Sequence, residues 1–227
     1  MAAKSWLSRA DDVLRGDPWT TRPGAIGPLI AMAVAGGSAY GALMGTFGGF
    51  AGGRAWQVLG SALKVPMLLG VTLLLSLPSF FVLNTLAGLR ADFGRVLRGV
   101  FASQAGLAIV LMGLAPITLF WYASTSDYRP AILFNGAMFA VASLGAQAIL
   151  RRAYRPLIAR DGRHRSMLRA WLALYIFVGI EMGWVLRPFV GNPEQPVELF
   201  RADSLGNAYV EVARLAYQTL VTPAPGR

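Results

Sequence analysis

The chain has no cysteine and a single histidine, His164. Disulfides, thiol catalysis, iron–sulfur ligation and cysteine-based zinc sites are thereby excluded. Haem and metal centres take their ligands in groups, so one histidine without cysteine is too few, and no cofactor is expected. Charge is scarce as well. Only 14% of residues are charged, against about 25% in an ordinary soluble domain. No G-x-S-x-G, Walker A loop, H-E-x-x-H or strand-linked G-x-G-x-x-G occurs, and no carboxylate dyad stands out. The sequence does not read as that of an enzyme.

What remains is apolar. Hydrophobic residues make up 55% of the 227 positions, and mean hydropathy is +0.51. Five apolar runs lie at roughly 25–48, 62–87, 99–122, 130–150 and 168–190. Each is about twenty residues or a little longer, enough to cross a hydrocarbon core of about 30 Å as a helix. The expected fold is an all-α polytopic membrane bundle of five transmembrane helices. Residues 1–24 form an amphipathic lead, 25–190 the bundle, and 191–227 a tail.

The net charge of +10 raises nucleic acid as a partner, but the bases sit between apolar runs and form no stripe interleaved with aromatics. Their placement reads as orientation. Lys4, Arg9, Arg15 and Arg22 precede the first run. Arg90, Arg95 and Arg98 link the second and third. Arg151, Arg152, Arg155, Arg160, Arg163, Arg165 and Arg169 link the fourth and fifth. With five spans these regions share one side, so the positive-inside rule puts the N-terminus in and the C-terminus out. A multi-pass protein of the cell's inner (cytoplasmic) membrane is expected.

Two flanking segments are amphipathic. Trp6, Leu7, Ala10, Val13 and Leu14 share a helical face, as do Leu205, Ala208, Tyr209, Val212, Leu215, Ala216 and Leu220, with Ser204 placed as an N-cap for the second. Each either lies on the membrane surface or packs on the protein itself.

In the first run and just beyond it, Gly37, Gly41, Gly45, Gly49 and Gly53 recur every fourth residue. Helices in lipid associate by close backbone packing, which small residues at this spacing permit. Gly37, Gly41, Gly45 and Gly49 are therefore an expected helix-packing interface, more often internal to a bundle than facing a partner. Gly48, Gly49, Gly52 and Gly53 also suggest a flexible turn beyond the helix.

Ionisable groups at membrane depth are costly. Lys64, near the start of the second run, and Glu181, two-thirds along the fifth, fall in the same half of the bilayer and form an expected intramembrane ion pair. Arg187 competes for Glu181. A structural pair is the simpler reading, and a gate or proton-coupled site the alternative. Asn84, Gln104, Asn135 and Gln147 read as hydrogen-bonding glue between helices. Pro66, Pro78 and Pro116 are possible kinks.

The segment Leu150–Trp171 reads as a basic loop whose Arg151, Arg152, Arg155, Arg160, Arg163 and Arg165 meet anionic lipid headgroups or an acidic partner. Tyr154, Pro156, Leu157 and Ile158 give it an apolar patch that dips into the interface. His164 reads as solvated.

The stretch DVLRGDPWTTRPGAIGPLIAMAVAGGSAYGALMG, 12–45, resembles prokaryotic relatives of the Yip1-type integral membrane proteins, in which a short amphipathic lead ends in an Asp-Pro turn before a glycine-rich first span. The resemblance implies a non-catalytic membrane adaptor. The D-L-Y-G-P motif of eukaryotic members has no counterpart here, so their vesicle-traffic partner is not carried over. The expected role is a scaffold or accessory subunit of a membrane assembly, with membrane lipids and other membrane subunits as partners and no nucleic acid. The alternative is a small transporter or channel using Lys64 and Glu181.

Overall fold

The computed structural model describes residues 5–49, 54–192 and 197. Among them the chain is helical, with no strand. Six α-helices follow in order: α1 Trp6–Arg15, α2 Ile26–Gly45, α3 Ala55–Leu86, α4 Phe93–Ser124, α5 Tyr128–Arg160 and α6 Arg163–Val185. The last five are long and apolar enough to cross a membrane, and the chain is a multi-pass membrane protein.

The spans are longer than the apolar runs, except for α2 and α6. The largest change is at the basic segment. Helix α5 runs through RRAYRPLIAR to Arg160 and α6 begins at Arg163, so the expected loop shrinks to Asp161 and Gly162. Arginine, alanine and leucine are good helix formers, and the end of hydropathy is not the end of helix propensity.

Helix α2 lies between α3 and α4; α5 packs on α4, and α6 on α3 with a lighter contact to α5. Three groups of buried side chains hold this arrangement. Tyr40, Met44, Val65, Leu69, Leu107, Leu111 and Ala142 join α2, α3, α4 and α5. Phe80, Val96, Val100, Leu150, Tyr154, Leu168 and Trp171 join α3 to α6 at the end nearer Arg160. Ala10 and Val13 of α1 pack with Leu29, Met32, Ala105 and Ile149. Helix α1 thus rests on the protein's own helices, while Trp6 and Leu7 of the same face stay exposed.

Helix α1 has complete caps. Ser5 accepts the Ser8 N–H, and Gly16 closes the other end at φ 72°, where a left-handed residue satisfies the last carbonyls. Asp17 then caps a 3-10 turn, Pro18–Thr21, through the Trp19 N–H. Pro66 and Pro78 lie inside α3 and Pro116 inside α4, and each helix continues through them.

Candidate functional site

The glycine row is directed at α3. A Cβ on Gly41 would run into the main-chain oxygen of Ser61, and one on Gly45 would sit 2.6 Å from Val58 Cα. At Gly37 the same test finds Val65 and Pro66 at 3.5 Å, an ordinary contact. Gly36, beside the row, faces α4, where its Cβ would lie 3.0 Å from Ala108 O. Gly37, Gly41 and Gly45 thus line an intramolecular approach of two backbones. Gly49 does not belong to it: α2 ends at Gly45, and Gly49 is a turn residue at φ +83° with open space around it. A left-handed turn takes glycine because it has no Cβ to clash. Gly53 lies outside the described residues.

The expected ion pair does not form. Lys64 is almost fully buried, and its Nζ donates to Pro188 O at 2.7 Å; no described ion pair joins it to Glu181. Helical geometry explains the separation. Gly179 of α6 faces α3, where its Cβ would meet Thr72 at 3.6 Å. Glu181 is two positions on, about 200° around the helix, and is half-buried. Arg187 does not take Glu181 either; its guanidinium lies 3.3 Å from the centre of the Trp184 ring.

Lys64 belongs to a different arrangement. Helix α6 ends at Val185, and the carbonyls of the following segment have no helical partner. Side chains of α3 and its N-cap supply donors. Besides Lys64, Ser61 Oγ donates to Phe189 O at 2.5 Å, and Arg54 Nη2 to Asn192 O at 3.1 Å. Gln57 Nε2 supports Ser61 Oγ at 3.1 Å. This network straps 188–192 along the first half of α3.

The opposite end uses the same device. Arg152 Nη1 donates to Leu14 O at 2.8 Å, at the C-terminus of α1. Arg98 Nε donates to Thr21 O at 2.6 Å, and Arg163 Nη1 to Ala87 O at 2.8 Å, just past α3. Carbonyls at helix C-termini carry partial negative charge, so guanidinium groups suit them. These bonds also bring the three arginine-rich regions to one end of the bundle. Of the six arginines expected to meet lipid or a partner, Arg152 and Arg163 are thus engaged internally, while Arg151, Arg155, Arg160 and Arg165 are exposed. Asp161 bonds the Arg163 side chain and N–H, which holds its carboxyl below the usual carboxylate range.

His164 is fully buried, not solvated. It occupies the first turn of α6, with Nε2 3.3 Å from Asp92 Oδ2 and its ring edge-on to Tyr154. Tyr154 and Leu157, assigned from sequence to an interfacial patch, are core residues.

Two of the four amides bridge helices. Asn135 of α5 accepts from Tyr40 OH of α2 at 3.2 Å and donates to Tyr122 OH of α4 at 2.7 Å, and Thr118 Oγ1 completes the group 3.1 Å from Tyr40 OH. Gln104 accepts from Tyr175 OH at 2.9 Å. Asn84 bonds only Phe80 O in its own helix, and Gln147 is half-buried. The tyrosines give no polar signal in an apolar run, so their roles are visible only in three dimensions.

Among the described residues, no group of three or more histidine, aspartate or glutamate side chains is placed to hold a metal ion. The tail helix expected at 205–220, with its cap at Ser204, lies outside the described residues. In comparisons with family models, curated proteins and solved structures, the chain finds no match.

Proposed function

We propose that this protein is a non-catalytic scaffold or accessory subunit of a larger assembly in the cytoplasmic membrane, with its N-terminus in the cytoplasm and its C-terminus outside. The observation that carries the reading is how unevenly the spans are covered. The most apolar stretch of α4 is 50% buried, that of α5 22% and that of α6 11%. The close-packing glycines of α2 are spent on α3, and we place the contact with a partner on the α5–α6 side, where Ile176, Phe177 and Ile180 are exposed. Arg151, Arg155, Arg160 and Arg165 extend this side at the basic end. Their clustering with the N-terminal arginines supports the proposed orientation. The Yip1-type kinship is part of the same proposal. It rests on the five spans and the tightly packed first one.

The transport alternative loses its paired site, because Lys64 is bound to a main-chain carbonyl and Glu181 faces elsewhere.

The test is a mild-detergent pull-down of tagged wild type, Gly183→Leu and Gly41→Leu. A Cβ on Gly183 meets nothing within 4 Å among the described residues, so Gly183→Leu is aimed at an outside contact, and its melting temperature is measured beside that of wild type. A stoichiometric partner retained by wild type and lost by Gly183→Leu supports the reading. Purification of the wild type alone, as a stable monomer, overturns it.

A further inference from the structure

A groove of about 480 Å³ opens between α1 and the start of α2. It is lined by Arg9 and Asp12 of α1, by Asp17, Trp19 and Arg22 around the 3-10 turn, and by Pro23, Gly24, Ala25 and Pro28 at the head of the first span.

Its depth follows from helix length. Helix α2 has 20 residues, about 30 Å at 1.5 Å per residue, which matches the hydrocarbon core with nothing to spare. The head of α2 therefore lies at the headgroup layer, where Trp19 is also at home.

The walls are fixed. Arg152 holds the end of α1 through Leu14 O, and Arg98 holds the 3-10 turn through Thr21 O. Val13 is completely buried beneath. The groove is built by the fold and does not depend on a ligand to shape it.

Its chemistry is of both signs. Arg9 and Arg22 are exposed, and neither joins an ion pair among the described residues; two guanidiniums suit a phosphodiester. Asp17 Oδ1 accepts the Trp19 N–H at 3.0 Å, and its second oxygen has no described partner. That oxygen suits an ammonium group. A phosphate and an ammonium a few bonds apart, held at headgroup depth, describe a zwitterionic aminophospholipid.

We infer that the groove between α1 and α2 is a binding site for one phosphatidylethanolamine headgroup, with Arg9 and Arg22 on the phosphate and Asp17 on the ammonium. The site is selective because an anionic headgroup without an amine leaves Asp17 facing it unpaired.

The experiment is native mass spectrometry of the full chain in mild detergent, with phosphatidylethanolamine or phosphatidylglycerol of identical acyl chains. Wild type should retain one phosphatidylethanolamine in preference to phosphatidylglycerol. Arg9→Ala/Arg22→Ala should lower that retention roughly a hundredfold, the scale of two lost charge-assisted bonds. Asp17→Asn keeps a residue able to cap the turn and should erase the preference while phosphate binding persists. Arg165→Ala should match wild type. Should the double variant fail to fold, Arg22→Ala alone and Asp17→Asn decide the matter. Equal retention of the two lipids by wild type, or unchanged behaviour of the folded groove variants, overturns the assignment. Retention of soluble phosphoethanolamine with neither lipid retained does so as well, since it makes the ligand a free solute.

Discussion

Lys64 Nζ and Pro188 O, 124 residues apart in the chain, meet at 2.7 Å inside the protein. A lysine in an apolar run invites a search for a carboxylate. Here one partner is a main-chain carbonyl, freed because α6 stops before it. Arg54 does the same in that segment, and Arg98, Arg152 and Arg163 at other helix ends. These five cations fasten backbone.

Lys64→Met should release the strap. Loss of a hydrogen bond from a charged donor costs roughly 1.5–3 kcal/mol, and methionine returns part of that by removing a buried charge. The expected net loss is about 1 kcal/mol. Hydrogen exchange should rise at Phe189–Asn192 and stay unchanged at Asn135. Uniform protection in the variant would show that the bond does not hold the segment.

Alanine at each glycine should rank by the space available. Gly41→Ala and Gly45→Ala should lower the melting temperature, since the new methyl meets the α3 backbone. Gly37→Ala should be neutral or stabilising by up to about 1 kcal/mol, the helix-propensity gain. Gly49→Ala should cost about 1 kcal/mol from its left-handed backbone. Equal effects at Gly37 and Gly41 would contradict the described approach of α2 to α3.

Asn135→Leu should leave the hydroxyls of Tyr40 and Tyr122 short of a partner. Hydrogen bonds between membrane helices average about 0.6 kcal/mol and reach about 1.7. With several bonds lost, a fall of about 1–2 kcal/mol in detergent unfolding is expected. Adding Tyr40→Phe should recover part of it, and a purely additive double variant would argue against a coupled network.

Asp161 provides a pH test. Its folded pKa is depressed by Arg163, so its contribution is present above the ordinary value of 3.8 and is lost as pH falls through the folded value. Asp161→Asn should therefore melt below wild type at neutral pH, and the two curves should converge in acid. A gap that widens in acid would reverse the sign and refute the assignment.

The five spans and the gathering of arginines at one end were legible in the sequence, because hydropathy and charge report directly on them. Glycine spacing reported where α2 packs closely, but not that its target is α3. Helix ends were less visible. Apolar counting stops at Arg151, whereas α5 goes on to Arg160 with good helix formers. That shift of boundary also hid His164, which becomes an inward-facing residue once α6 starts at Arg163. The partner of Lys64 was hidden for another reason: a carbonyl is present at every residue and carries no sequence signature.

The central claim is that the α5–α6 side meets another protein. A photo-crosslinking residue at Phe177, which is 58% exposed on α6, tests it in intact membranes. The account predicts one recurrent protein adduct. Labelling of lipid alone would contradict it.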